Sequence, residues 1–131
     1  MIGLDTNVLV RYIMQDDPRQ SPKATRLVGS LTAGSPGLVP LVSVVELVWV
    51  LSSCYGLTRE QLVQALELML RTKEIIIDGA DLVTKALRIF KVSNADFADC
   101  LIERTASSAG CTKTMTFDIS AAKTAGMTLI P

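Results

Sequence analysis

The sequence predicts an α/β domain whose short, mostly parallel strands are covered by helices on both faces. Three observations carry this. Brief apolar runs recur along the chain, among them the β-branched Ile75-Ile76-Ile77. Segments with helix caps and helical apolar spacing separate those runs. The chain also has 131 residues, 49% of them hydrophobic and 20% charged, which is enough for one domain with a real core and too apolar for disorder. Residues 1–131 are therefore expected to form a single domain.

Met1 to Leu4 reads as a buried strand, followed by a helix from Val8 to about Met14 that stops before Asp16-Asp17-Pro18. Ser21-Pro22 supplies a cap and a first-turn proline for a helix running to Gly29. Leu38 to Leu41 is a short strand, and Ser43 is placed to cap a helix reaching about Tyr55 and stopped by Gly56. Thr58-x-x-Gln61 is a capping box that opens a helix to about Thr72, with Leu62, Ala65, Leu66, Met69 and Leu70 on one face. Glu74 to Asp78 is a strand, and Asp81 to Lys91 a helix with Leu82, Ala86 and Ile89 inward. A helix begins at Asn94 or Ala95 and ends near Gly110. Lys113 to Phe117, Ser120 to about Thr124 and Thr128 to Ile130 read as strand, short helix and strand.

Thirteen basic residues balance 13 acidic ones. Setting aside five acids that stand in or beside apolar runs leaves 13 basic residues against 8 acidic, a balance suited to a negative pocket in a surround that attracts a polyanion. Cys54, Cys100 and Cys111 are odd in number and widely spaced, and there is no His. That pattern argues against a zinc site or a disulfide scaffold, fits a reducing cytoplasm, and makes each cysteine a small buried hydrophobe. No basic segment precedes an apolar one, so no signal peptide is expected. The longest apolar stretch is broken by Pro40, Ser43 and Glu46 and is too short to span a membrane.

The five acids are the chemical signal. Asp5 closes the apolar Met-Ile-Gly-Leu run, and Asp118 ends Thr-Met-Thr-Phe. At strand ends in a parallel sheet, both are candidates for one crevice. Glu46 is the only charge between Gly37 and Ser52, has no basic partner one helical turn away, and is placed in the first turn of its helix, where the dipole favours an anion. Asp96 and Asp99 share a helical face, with Glu103 one turn further on and Phe97, Ala98, Leu101 and Ile102 on an opposing apolar stripe. Burying an unpaired carboxylate costs several kcal/mol, roughly, unless a cation compensates it. Acids without His suit a hard cation such as Mg²⁺ or Mn²⁺. Each acid also has a plainer reading. Asp5 and Asp118 are placed to cap helices, Ser93-x-x-Asp96 matches a capping box, and Glu103 suits a salt bridge.

Taken together, these segments resemble a known family over essentially the whole chain. Leu4-Asp5-Thr6-Asn7-Val8-Leu9-Val10-Arg11 looks like the opening of PIN-domain ribonucleases. Val45-Glu46-Leu47 looks like that family's glutamate helix. Asp96-Phe97-Ala98-Asp99-Cys100-Leu101-Ile102 is similar to its D-x-x-D-A-L-I segment, with Cys100 where Ala is usual. Thr116-Phe117-Asp118-Ile119-Ser120-Ala121-Ala122-Lys123 resembles its last acidic motif. Motif order and small size look most like VapC-type toxins of type II toxin–antitoxin systems.

The resemblance implies a three-layer α/β/α fold with a central, mostly parallel sheet of four to five short strands. It also implies Mg²⁺- or Mn²⁺-dependent endoribonuclease activity. Asp5 and Asp99 would be the principal metal ligands, Glu46 and Asp118 would complete the set, and Asp96 would tune it or hold a second ion. Thr116 would orient Asp118, Thr6 and Asn7 would support Asp5, and Arg11 and Lys123 either meet phosphates or are solvated. The expected partners are an RNA substrate, a cognate antitoxin and a second copy in a homodimer. The antitoxin is expected to dock as a helix beside Leu47, Val50, Leu62 and Leu66 and to place a cationic side chain among the acids. Two rival readings stand beside this. One is a catalytically silent PIN fold kept as a protein-binding module, which loss of the acids would signal. The other is a haloacid-dehalogenase-like phosphatase, whose second aspartate would fall at Asn7.

Overall fold

The computed structural model describes all 131 residues, which divide into two compact units, Met1–Ala80 and Asp81–Pro131. The first unit carries β1 (Ile2–Gly3), α1 (Thr6–Met14), α2 (Gln20–Gly29), β2 (Gly37–Val39), α3 (Leu41–Ser53), α4 (Arg59–Arg71) and β3 (Ile75–Ile77). The second carries α5 (Ala80–Val92, whose first residue closes the first unit), α6 (Phe97–Ser108), β4 (Met115–Thr116), α7 (Ile119–Thr124) and β5 (Thr128–Leu129). Every strand pair is parallel. In the first unit β2 lies between β1 and β3, with Gly37 opposite both Ile2 and Ile75; in the second, Met115 pairs with Thr128. The five strands thus hydrogen-bond as a set of three and a set of two, one set in each unit. No helix is long and apolar enough to cross a membrane.

In the first unit the core gathers Leu4, Leu9, Val39, Val44, Leu47, Leu51 and Leu66, all at most 2% exposed. Gly37 leaves room at the centre of this sheet, where a Cβ would stand 2.7 Å from Leu4 Cδ1 and force the packing to shift. In the second unit Val83, Ala86, Leu87 and Phe90 form the buried stripe of α5. Phe90 meets Phe97 edge to face, with centroids 5.7 Å apart. The buried stripe of α5 is thus rotated from the expected one, since Leu82 and Ile89 are only half-buried.

Several boundaries differ from the sequence reading, each for a local reason. Helix α1 begins two residues early because Asp5 is its N-cap: the Asp5 carbonyl accepts from Val8 N and Leu9 N. Helix α2 is capped by Asp17, whose Oδ1 accepts from Arg19 N at 2.9 Å and Gln20 N at 2.7 Å, while Ser21 Oγ accepts from Asp17 N in return. Helix α3 starts at Leu41, since the Pro40 carbonyl receives Ser43 N and Val44 N. Ser43 is therefore a buried helical residue, and Glu46 stands in the second turn, beyond the strongest pull of the dipole. Asp96 is itself the N-cap of α6, and Ser93 Oγ instead bonds Ile89 O and Ala95 N. The Thr58–Gln61 capping box is present as expected. Only Cys100 is a buried thiol; Cys54 and Cys111 are exposed, because the helix end and turn that carry them lie on the surface.

Candidate active site

In the first unit, Asp5 and Glu46 line one open cleft of about 400 Å³, together with Thr6, Asn7, Arg11 and Tyr55. Asp5 stands at the carboxyl end of β1, where Leu4 N bonds Leu38 O and fixes the strand up to the turn. Asp5 Oδ1 accepts from Thr6 N at 2.7 Å, leaving Oδ2 without a protein partner. Glu46 reaches the cleft from α3 and makes no hydrogen bond or ion pair. Beside them Thr6 Oγ1 is buried with no hydrogen-bond partner at all. An orphaned buried hydroxyl costs roughly 1–3 kcal/mol unless something satisfies it.

In the second unit, Asp96 Oδ1 accepts from Asp99 N at 3.1 Å and closes the first turn of α6. Asp118 caps α7 in the same manner, its Oδ1 accepting from Ser120 N at 2.8 Å and Ala121 N at 3.2 Å. Thr116 Oγ1 accepts from Asp118 N at 3.0 Å, so Thr116 does hold the Asp118 backbone. The Asp99 carboxylate has no partner. Partial burial, then the charges of Asp96 and Asp118, push it above the usual carboxylate range.

The acids are less buried than their apolar surroundings suggested. Asp5, Glu46, Asp96 and Asp118 are exposed and only Asp99 is half-buried, because strand ends and helix caps open onto solvent. The buried carboxylate is Glu103, and it is paired with the neighbouring Arg104 guanidinium, whose Nε lies 2.9 Å from Oε2. The side chains expected to form an apolar docking groove are mostly not available for one. Leu47, Leu62 and Leu66 face the core, while the exposed apolar side chains of α3 are Val42 and Trp49 on either side of Glu46.

For a divalent metal the donor chemistry fits, although neither unit by itself holds three acidic, cysteine or histidine side chains grouped as a ready cage. The donors are oxygens, as Mg²⁺ and Mn²⁺ prefer, and Mg²⁺ commonly keeps several waters and uses only one or two carboxylates. Asp5, Asp96 and Asp118 each spend Oδ1 on a helix N-terminus and leave Oδ2 free. Glu46 and Asp99 leave both oxygens free. Capping and ligation are thus compatible roles, and the cap fixes the carboxylate plane. Asp5, Glu46 and the orphaned Thr6 hydroxyl share the first unit's cleft; Asp96, Asp99 and Asp118 interact electrostatically in the second.

Tyr55 and Cys54 join the first unit's site unexpectedly, beside Arg11, which was expected either to meet phosphates or to be solvated. The available signal is helical spacing: Glu46, Val50 and Cys54 follow every fourth residue, as do Asn7 and Arg11, and all five line the cleft.

No curated protein matches the chain. A family model for the PIN domain matches residues 2–127, which include every acid discussed above. With its seven helices and parallel strands, the chain has the three-layer α/β/α, nuclease-type fold of that family. The chain belongs to the PIN-domain family.

Proposed function

We propose that this chain acts, as a single domain over residues 1–131, as a divalent-metal-dependent endoribonuclease and is the toxin of a toxin–antitoxin pair. One observation carries the reading. Five carboxylates lie within the matched residues 2–127, in segments that resemble the family's acidic motifs, and each retains at least one oxygen that no protein group uses. A catalytically silent binding module has no need for Asp99 to remain unpaired and held above its ordinary range. Asn7 at the second-acid position leaves a phosphatase of the haloacid-dehalogenase kind without its proton donor.

Asp5 and Asp99 are proposed as the principal holders of Mg²⁺ or Mn²⁺, Glu46 and Asp118 as completing the set, and Asp96 as tuning it. When bound, such an ion supplies an acidified water and offsets negative charge on the phosphate. The chain's own part is orientation and proton acceptance. Hydrolysis adds a water oxygen to phosphorus and releases a ribose oxygen. With no His in the chain, a carboxylate is the candidate proton acceptor, and Glu46 has both oxygens open to the cleft for that. Thr6 Oγ1 gains a partner when water or substrate enters.

The cognate antitoxin is proposed to lay an amphipathic helix over Val42 and Trp49 of α3 and to aim a guanidinium at Asp5 and Glu46. A homodimer through the exposed Phe117 and Ile119 edge belongs to the same proposal, as does a cytoplasmic setting, with which three cysteines outside any disulfide agree. The test is cleavage of a labelled structured RNA by purified protein. Cleavage is expected with Mg²⁺ or Mn²⁺, to vanish in EDTA and to return with either ion; undiminished cleavage in EDTA rejects the mechanism.

A further inference from the structure

Arg11 is tied at two of its three guanidinium nitrogens. Its Nε donates to Gln20 Oε1 at 2.8 Å. Its Nη1 donates to the Tyr55 hydroxyl at 3.2 Å and to Asp16 Oδ1 at 3.3 Å. Tyr55 in turn donates to Asp16 Oδ2 at 2.7 Å, and chiefly this bond holds Asp16 below the usual carboxylate range. Asp16 is thus committed first to Tyr55, and its contact with Arg11 is long. Nη2 is left with two N–H groups and no protein acceptor.

The arrangement follows directly on the left-handed end of α1. Gln15, immediately before Asp16, is the only non-glycine residue with positive φ (51°). Its side chain stabilises that turn by donating to Tyr12 O at 2.7 Å and Thr25 Oγ1 at 2.9 Å. The turn delivers Asp16 to Arg11 and Tyr55.

Arg11 also stands where two clefts meet. It and Asn7 line both the acidic cleft of Asp5 and Glu46 and a second groove of about 250 Å³ between α1 and α2. The second groove has no acidic side chain in its lining, and its two charged residues are Arg11 and Lys23. A fixed guanidinium with a free edge, leading from carboxylates into a cationic groove, matches a polyanion that must run past the acids.

We propose that the α1–α2 groove is a backbone-phosphate subsite for the RNA strand, with Arg11 gripping the phosphate at the junction through Nη2 and Lys23 meeting the strand further out. This rests on the ribonuclease reading. Tyr55 and Asp16 are positioning residues that act through Arg11, while Gln20, which holds Arg11 Nε, also lines the groove itself.

The experiment measures binding of a labelled RNA in EDTA, where no cleavage occurs, over a series of chloride concentrations. It is followed by steady-state cleavage with Mn²⁺. Arg11→Gln is expected to weaken binding at least tenfold, and Arg11→Gln and Lys23→Gln each to reduce the salt slope by about 0.7, the value for one single-strand phosphate contact. Tyr55→Phe, which keeps the ring and frees Arg11, is expected to weaken binding severalfold with an unchanged slope. In cleavage, Arg11→Lys is expected to raise KM with kcat little altered, because the charge remains while the fork is lost. Arg88→Gln is the charge-matched control from α5. Should Arg11→Gln fail to fold, Arg11→Lys and Tyr55→Phe carry the test alone. Variants that bind and cleave like Arg88→Gln overturn the subsite while leaving the ribonuclease reading intact. A wild-type protein that neither binds nor cleaves RNA overturns both. Displacement of RNA by inorganic phosphate beyond that by chloride at equal ionic strength would reassign the groove to a free anion and also overturn the proposal.

Discussion

Asp96 accepts a hydrogen bond from the backbone N–H of Asp99, 3.1 Å away, so one acid of the pair caps the helix on which the other stands. The bond sets the two roles apart. Asp96 has an ordinary structural reason to be acidic, because an N-cap needs an acceptor. Asp99 has none: it is half-buried, without partners, and pushed up by burial and by Asp96 and Asp118. Asp118 repeats the Asp96 pattern at the start of α7.

The first prediction concerns Asp99→Asn. The Asp99 carboxyl lies above its ordinary range in the folded chain, so the native state binds more protons than the unfolded state between the two values. Its contribution to stability is therefore complete below the unfolded value and is lost as pH rises through the folded one. Asp99→Asn should remove that pH dependence and raise metal-free stability at neutral pH by a few tenths of a kcal/mol, roughly the scale of one like-charge helical pair. It should also abolish most cleavage. Thermal melts in EDTA across pH 3 to 8 check the stability half; a mutant that melts lower than wild type at neutral pH would make Asp99 a structural residue.

The second prediction separates capping from chemistry at Asp96 and Asp118. Asn caps as well as Asp, whereas Ala loses about 1 kcal/mol. Asp118→Asn should keep wild-type stability and lose most cleavage, while Asp118→Ala should lose both. Asp96→Asn should cost less activity than Asp5→Asn or Asp99→Asn. Denaturant midpoints beside initial cleavage rates decide the matter, and an equal, complete loss in Asp96→Asn would promote Asp96 to an indispensable ligand.

The third prediction concerns the buried Thr6 hydroxyl. Thr6→Val removes an unpaired oxygen at nearly constant volume, so the metal-free protein should be stabilised, by up to about 1–3 kcal/mol if the hydroxyl is wholly unsatisfied. Cleavage should fall, because the cleft of Asp5 and Glu46 loses a polar group. Urea unfolding in EDTA measures the first half. A destabilised Thr6→Val would mean that the hydroxyl has a partner in solution.

The contrast between these residues also explains what the sequence made legible. Element order was readable, because Thr58–Gln61, Gly56 and Ile75-Ile76-Ile77 are local signals that tertiary structure had no reason to override. Caps were less so. Asp5 caps α1 as its place suggested, although the helix start was expected later, whereas Asp17 and Asp96 took roles expected of Ser21 and Ser93, since several residues able to cap stand within a turn of one another. The acids themselves were readable from their apolar surroundings, yet four are exposed: an apolar run marks the element that carries an acid, and the acid stands at that element's open end or outer face. The joining of Arg11 to Tyr55 and Asp16 was hidden for another reason. Tyr55 and Asp16 are 39 residues apart, and their hydrogen bond depends on the left-handed turn at Gln15, which no propensity favours at glutamine.

The last prediction concerns the antitoxin. Trp49 is the only tryptophan in the chain, is 63% exposed, and lies three residues beyond Glu46 on α3. A helix covering Val42 and Trp49 would bury the indole and blue-shift its emission, giving a direct binding signal. If the same partner sets a guanidinium against Asp5 and Glu46, divalent ions and antitoxin compete for those oxygens. Titrations followed by Trp49 emission should then show affinity falling as Mg²⁺ rises, beyond the fall produced by a non-ligating salt of equal ionic strength. Glu46→Gln should weaken binding and blunt that Mg²⁺ dependence, whereas Val42→Ser should weaken binding and leave the dependence intact. An emission shift with affinity indifferent to Mg²⁺ would keep the docking face and discard the cationic plug, leaving occlusion of the RNA path as the route to inhibition. No emission shift at saturating antitoxin would remove the α3 face from consideration altogether.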